Sequence, residues 1–500
     1  MSSLKLEFLT EAMEYLRPVL RETKTVEETA ETIIPDSCPD VTEILFTSGM
    51  AFLRGKDISE GSAAVSAGVS ASVLVRPEGR EEPELVEVYI PMSARMDSGL
   101  LRAGMLSSAK AELRRIDSHM VNPRKVLVRA TVAVTLEVWE DCKEQHASAP
   151  ANATAELLTK TEAMKLLTNL GEKNYTVEDT VRLSPEGEGR TMVTCGMKIT
   201  HTESRLTGTR AVFKGEIALD ALYLDGEGKL QNGAGTLPIS QYIDLGDCGD
   251  EDELRLETCL TGADVEFSAD GGGLNVTLQL LSKAQVWATR ELTYLADLYT
   301  LKGQAEPERE KRGYESLLDR QYFSPTARGT IPGIGGQVGR CVCIPGEVTH
   351  TKAGETTEFT LPVSVQVLSQ EDGRLMGGST KVNLTFRTQA APGCRFEVLA
   401  EDMSATATAS GGSADVQVSG TVSVSTFGSH EITEVTGCEV GETEPSGDRP
   451  GLVIRRPAPG ETLWDIARQY RTTMAAIAAA NGLEGEPGPD TLLLIPGRGA

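Results

Sequence analysis

The sequence predicts a mainly β fold: three tandem antiparallel β-rich units followed by a small α+β module of βααβ order. Three observations carry that prediction. Between about residue 40 and residue 440, apolar residues alternate with polar ones in short runs broken by turn formers, the period-two signal of half-buried strands. Landmarks recur in a fixed order along that stretch, which marks a repeat. From residue 452 the alternation gives way to a helical period. The chain's 500 residues are too many for one core, and at roughly 100–200 residues per domain about three or four units are expected.

Residues 1–25 read as an N-terminal helical segment. In LKLEFLTEAMEYLRPVL, Lys5, Glu7, Glu11, Glu14 and Arg17 interrupt the apolar residues. No stretch of the chain offers the unbroken apolar run of about 7–15 residues of a secretory signal, nor the run of about 20 that spans a bilayer. The expected location is therefore cytoplasmic, without membrane insertion. The β units are expected at residues 26–141, 176–300 and 345–440. Between them lie a connector at 142–175, partly helical on account of the alanine-rich segment Ala149 to Leu170, and a linker at 301–344 that opens with QAEPEREKRG. An acidic Gly/Pro linker at 441–451 leads to the terminal module, 452–500.

The repeat rests on three landmarks. Three long alternating runs close on an aromatic residue, Trp139, Trp287 and Phe427, with Val128, Val276 and Val416 at the same interval upstream. Each unit also holds an acidic glycine turn, at Gly79, Gly228 and Gly373. A second turn enters the closing strand, marked by Asn122-Pro123, Asp270-Gly271 and Ser410-Gly411-Gly412. The first two units share an approach segment as well, TVEET at Thr25 to Thr29 and TVEDT at Thr176 to Thr180. Each is followed by a proline, Pro35 or Pro185, and then by Gly49-Met50 or Gly196-Met197. Repeated β units in series display surface for partners rather than one deep pocket.

Charge and motifs narrow the function. With 73 acidic against 48 basic side chains the net charge is -25, which repels nucleic acid and anionic lipid. The 9 cysteines are spread irregularly with no CxxC pair, a pattern that fits buried thiols in a reducing compartment. Cys341 and Cys343 lack the second pair that a zinc site needs, and the 5 histidines are scattered, so neither metal nor cofactor is expected. Asp36, Cys38 and Asp40 in IIPDSCPDVTEIL read as a turn feeding a strand, since nothing there supplies a base for the thiol. Gly333, Gly335 and Gly336 lie in a loop without the strand–helix setting of a nucleotide fingerprint. The chain is expected not to be an enzyme.

The terminal module is the most specific stretch. LVIRR from Leu452 is a short strand, and Thr462 with Asp465 forms a capping box. Leu463, Ile466, Ala467 and Tyr470 then make one apolar helical stripe. A second helix runs from Thr473 to Ala480 and stops at Asn481-Gly482, and LLLI supplies the partner strand. PGETLW, Ile466-Ala467, AANGL and PDTLLLIP resemble the LysM domain over nearly the whole module. The resemblance implies a shallow groove for N-acetylglucosamine polymers. Its sides would be Gly460, Glu461, Thr462, Leu463 and Trp464, facing Asn481, Gly482, Leu483 and Glu484. Where that family often closes with Pro-Gly-Gln, this sequence has Pro489-Asp490-Thr491, and its second loop carries three acidic residues. Trp464 serves either as a sugar surface or as half of the module's core.

IIPDSCPDVTEIL, and NPRKVLVRA from Asn122 to Ala130, resemble two segments of the SPOCS domain. Such repeats ahead of one terminal LysM resemble the spore-coat morphogenetic proteins of clostridia. That resemblance implies a Firmicute mother cell, a place at the forespore surface, and a LysM docked on the coat-basement ATPase rather than on peptidoglycan. Two functions from different classes stand side by side: a structural interaction protein for spore-envelope assembly, and a peptidoglycan-binding protein of wall or cortex.

Overall fold

The computed structural model describes residues 4–80, 82–183, 189–269, 271–441, 451–488 and 490–497. Pro185, Asp270, Pro489 and the linker residues 442–450 lie outside the described residues. The first unit consists of β2 (Phe8–Ile33), β3 (Val41–Ser59), β4 (Ser62–Pro77), β5 (Glu84–Asp97), β6 (Leu106–Asn122) and β7 (Lys125–Pro150), preceded by a short β1 (Leu4–Lys5). The second contains β8 (Glu156–Arg182), β9 (Gly189–Thr207), β10 (Arg210–Asp225), β11 (Leu230–Asp244), β12 (Glu253–Phe267) and β13 (Gly273–Tyr299). In the third are β14 (Gln304–Phe323), β15 (Thr326–Pro332), β16 (Gln337–Pro345), β17 (Thr349–Ala353), β18 (Thr356–Glu371), β19 (Arg374–Gln389), β20 (Arg395–Ser410) and β21 (Ser413–Gly441). The C-terminal module holds β22 (Leu452–Arg455), α1 (Leu463–Tyr470), α2 (Met474–Asn481) and β23 (Leu493–Pro496).

One topology is used three times. The first unit pairs β2-β7-β6 in one antiparallel sheet and β3-β4-β5 in a second; the second unit repeats this as β8-β13-β12 and β9-β10-β11. In the third, β21 is flanked by β14, β15 and β20, and β18 by β16, β17 and β19. The cause lies in the closing strands. Every second residue from Val126 to Val138 in β7 is fully buried between the two sheets of its unit, as period-two side-chain alternation requires. Val128, Val276 and Val416 occupy that inward face in all three closing strands. The landmark glycines Gly79, Gly228 and Gly373 take positive φ, 71°, 74° and 83°, in the turns that follow β4, β10 and β18. A side chain there would be strained.

The opposite face of each closing strand looks onto the other units. Trp139, Trp287 and Phe427 form one buried layer with Leu16, Leu167 and Leu317, and the rings of Trp287 and Phe427 lie 5.4 Å apart. In each unit a β-bulge in the opening strand sits at this layer, between Pro18 and Leu20, between Leu167 and Asn169, and between Leu317 and Asp319. Beyond it the opening and closing strands continue as three two-stranded ribbons. Met13, Cys142, Met164, Leu292, Tyr314 and Ile432, one from each of the six strands, share a single cluster, so the ribbons make one stem. A polar layer crosses it: buried His146 Nδ1 lies 2.9 Å from Glu434 Oε2, and Arg312 Nε lies 2.8 Å from the other carboxylate oxygen.

Three segments differ from the sequence reading. Residues 1–25 were expected to be helical, yet Phe8 onward is strand β2 paired with β7. Ala149 to Leu170 was likewise expected to hold a helix, and Glu156–Arg182 is strand β8. The linker beginning QAEPEREKRG is strand β14, which pairs with β21. In the first two, Leu/Ala/Glu/Lys composition favours helix, and in the third the run of charges and Pro307 reads as a linker, but these local signals yield to a long ladder and a buried stem face. All three are flank strands of their sheets, where Pro18, Pro307 and solvent-facing charges are tolerated. Gly441, expected to open the acidic linker, is the last residue of β21.

Close approach between units is visible at Gly377 in β19. A Cβ there would stand 1.6 Å from the Leu45 carbonyl oxygen in β3 of the first unit, and backbone cannot yield as a side-chain end can. Gly377→Ala is expected to destabilise the chain by about 1–3 kcal/mol, measured as a lower urea midpoint, whereas Gly373→Ala strains only a local turn.

Candidate functional site

The C-terminal module is assembled as its sequence indicates. Thr462 caps α1, its backbone N–H donating to Asp465 Oδ2 at 3.0 Å while Asp465 N–H donates to Thr462 Oγ1 at 3.2 Å. The Thr462 hydroxyl, at 2.6 Å, and then its backbone N–H donate to the Asp465 carboxylate and hold it below its ordinary range. Arg471 ends the helix at φ 52°, Thr473 caps α2, and Gly482 closes it at φ 62°. Asn481 is spent on the fold: its side chain donates to the Leu494 carbonyl at 2.6 Å and accepts from Leu494 N–H at 2.7 Å, tying α2 to β23. Leu463, Ile466, Ala467, Ile477, Leu493 and Ile495 form the core.

Trp464 belongs to a joint with the stem. Its side chain is 4% exposed, its ring lies 4.8 Å from that of Tyr299 at the end of β13, and its Nε1–H donates to Asp297 Oδ2 at 3.0 Å. Arg468 Nη1 reaches the same oxygen at 2.8 Å, and Arg309 of β14 holds the other at 2.5 Å. Tyr299 in turn donates its hydroxyl hydrogen to the Thr472 carbonyl at 2.6 Å. Asp297, buried with Trp464, is thus a hub between stem and module. Of the two roles open to Trp464 from sequence, the structure places it in the packed interior. No local pattern signals its partners Asp297 and Tyr299, which lie far upstream.

The remaining loop residues stay at the surface. Gly460 is exposed at φ 80°, and Thr462, Gly482 and Glu484 are exposed, with Glu461, Asn481 and Leu483 half-buried. Two donors between these loops already have acceptors within the chain. Leu463 N–H donates to Glu486 Oε2 at 2.7 Å, bridging the first loop to the second. Ala458 N–H donates to Glu461 Oε2 at 2.8 Å, and Glu461 also pairs with Arg455. Leu463 itself is buried.

A LysM domain is found at residues 458–487. Comparison with curated proteins and with solved structures finds no match to the chain. A LysM domain supports a role in binding peptidoglycan or another carbohydrate, or in interaction.

The other sequence candidates lie in structural settings. Arg124, in NPRKVLVRA, donates to the carbonyls of Cys38 at 2.5 Å and Ile34 at 2.9 Å and to Asp36 Oδ1 at 3.2 Å. The IIPDSCPD turn is therefore wrapped around a guanidinium. Burial pushes Cys341 and Cys343 up to about 12 and about 11, against thiolate chemistry. His201 contacts Thr258 Oγ1 at 2.9 Å and is lowered by burial. Among the described residues no cluster of three His, Cys, Asp or Glu is placed to hold a metal ion, and no helix is long and apolar enough to cross a membrane.

Proposed function

We propose that the protein is a non-enzymatic assembly factor whose β units form a body and whose LysM domain docks onto a protein partner. What supports the reading most is the joint at Asp297: it withdraws Trp464 from solvent while leaving Gly460 to Thr462 and Gly482 to Glu484 at the surface. Glu486 and Glu461 take up main-chain donors that a sugar's acetamido group would otherwise meet. No sugar-stacking aromatic is left in these loops. Acidic loops favour a partner surface with basic groups. The SPOCS-like segments suggest the setting, spore-coat assembly at the forespore surface in a Firmicute, with a coat-basement ATPase as partner. Peptidoglycan binding is the second reading, favoured by the LysM match itself.

Co-sedimentation with purified peptidoglycan separates the two. The full chain is expected to remain in the supernatant while binding purified coat-basement ATPase, and Leu483→Asp with Glu484→Arg is expected to weaken that complex at least about ten-fold. Saturable sedimentation of wild type, lost in the same double variant, together with no ATPase binding, would establish the glycan reading instead.

A further inference from the structure

We infer that the open edge of β22 is completed by a third strand: an extended segment of the partner protein, apolar at alternate positions and carrying a carboxylate beside Arg456. This rests on the reading of the LysM domain as a protein-docking module, and names the surface it uses and the kind of segment it takes. Among the described strands, β22 and β23 pair only with each other. Their inward residues Val453, Leu493 and Ile495 belong to the core of the module. Opposed residues of an antiparallel pair share a face, so Leu452 and Ile454 lie outward with their partners Pro496 and Leu494. Leu452, Ile454, Leu494 and the adjoining Leu492 are between 36% and 61% exposed. Contiguous apolar surface on the order of a few hundred Å² marks an interaction site on a soluble protein.

The ladder shows which edge is open. Gly497 N–H donates to the Gly451 carbonyl at 2.9 Å, so the hydrogen-bonded pairs that follow in register are Val453 with Ile495 and Arg455 with Leu493. At the intervening pairs the main-chain groups point away from the ladder. Those of Leu494, on β23, are taken up by the Asn481 side chain, which closes that edge. Those of Leu452 and Ile454, on β22, meet no hydrogen-bond partner among the described residues. An edge that offers unused N–H and C=O groups beside apolar side chains is a template for strand addition.

Size and charge select the occupant. The apolar face falls well short of the roughly 800 Å² per partner that a stable dimer buries, whereas one added strand needs no more than this face and its edge. The adjoining segments ETEPSGDRP at 442–450 and RGA at 498–500 hold no large apolar side chain to cover it. Arg456, directly after β22, is exposed and has no ion-pair partner among the described residues, and a guanidinium suits a carboxylate. β22 also leads straight into the loop that holds Gly460 to Thr462, so the edge and the docking loops adjoin.

The test is hydrogen–deuterium exchange of the full chain, read amide by amide, with and without purified coat-basement ATPase as probe. The Leu452 and Ile454 amides are expected to exchange freely in the chain alone and to slow at least about ten-fold in the complex, with Val453 and Arg455 protected in both states. Ile454→Pro removes the outward N–H without removing a ladder bond, and is expected to weaken the complex at least about ten-fold. If Ile454→Pro does not fold, exchange in the wild type decides alone. A complex in which both amides still exchange freely, or one that Ile454→Pro leaves at full affinity, would overturn the edge inference and leave the docking reading standing. Absence of any complex with the wild type would overturn both. Slowing of the same amides in the chain alone as its concentration rises, with a doubled mass in sedimentation, would make the occupant a second copy and overturn the assignment to the partner.

Discussion

Replacing Trp464 with alanine is expected to release the LysM domain from the stem. The change deletes a buried indole that fills the space between α1 and Tyr299 and removes the only ring donor to Asp297 among the described contacts. Large-to-small changes of this kind cost about 3–5 kcal/mol. Arg468 and Arg309 still pair with Asp297, so the carboxylate is not left as an unpaired charge. Differential scanning calorimetry reads the outcome: one cooperative transition covering module and stem in wild type, and in Trp464→Ala an earlier separate transition of the module. Asp297→Asn keeps the indole and is expected to weaken the joint less. If Trp464→Ala melts as wild type does, the joint carries no energy.

Arg255→Met is expected to have a comparable effect on the body. Arg255 Nη2 reaches Glu397 Oε1 at 2.8 Å and pairs with Glu257, linking β12 of the second unit to β20 of the third. Removing one member of a buried ionic set leaves its partners uncompensated, at about 3–5 kcal/mol. The pH dependence has two arms. Glu257 and Glu397 are held below their ordinary range, with burial opposing and Arg255 the leading cause that lowers both. Their contribution is present above about pH 4.5 and is lost as pH falls through the folded values. Glu137 works in the opposite sense. Its contribution is present below 4.5 and is lost as pH rises through about 7. Glu137→Gln is therefore expected to stabilise at pH 8, by at most about 3 kcal/mol at 1.36 kcal/mol per pH unit, and to be near neutral at pH 4.5. Urea midpoints at the two pH values check this, and a stabilisation equal at both would contradict it.

Much of the β architecture is legible in the sequence because strand alternation and turn glycines are local signals. Val128, Val276 and Val416 betray the repeat, since each must fill the same inward position. The stem is not legible. Its six strands bury only one narrow stripe each, and spacings such as those of Leu6, Met13, Leu16 and Leu20 suit a helix as well as a ribbon. Equally hidden is the packing of the three units on one another, which rests on aromatic residues more than a hundred positions apart. The LysM domain is legible in full as a fold, down to the Thr462–Asp465 capping box. Its loops are legible by position only. That Trp464 faces Asp297, or that Glu486 reaches Leu463 N–H, depends on tertiary geometry outside any local pattern.

The mounting of the LysM domain on the stem is tested most directly by ¹⁵N relaxation of its amides within the full chain. Ile466, Ala467 and Ile477 are expected to report the slow tumbling of the whole 500-residue body, as a domain fixed through Asp297, Tyr299 and Trp464 must. Fast tumbling of these amides, as for a small domain on a free tether, would contradict it.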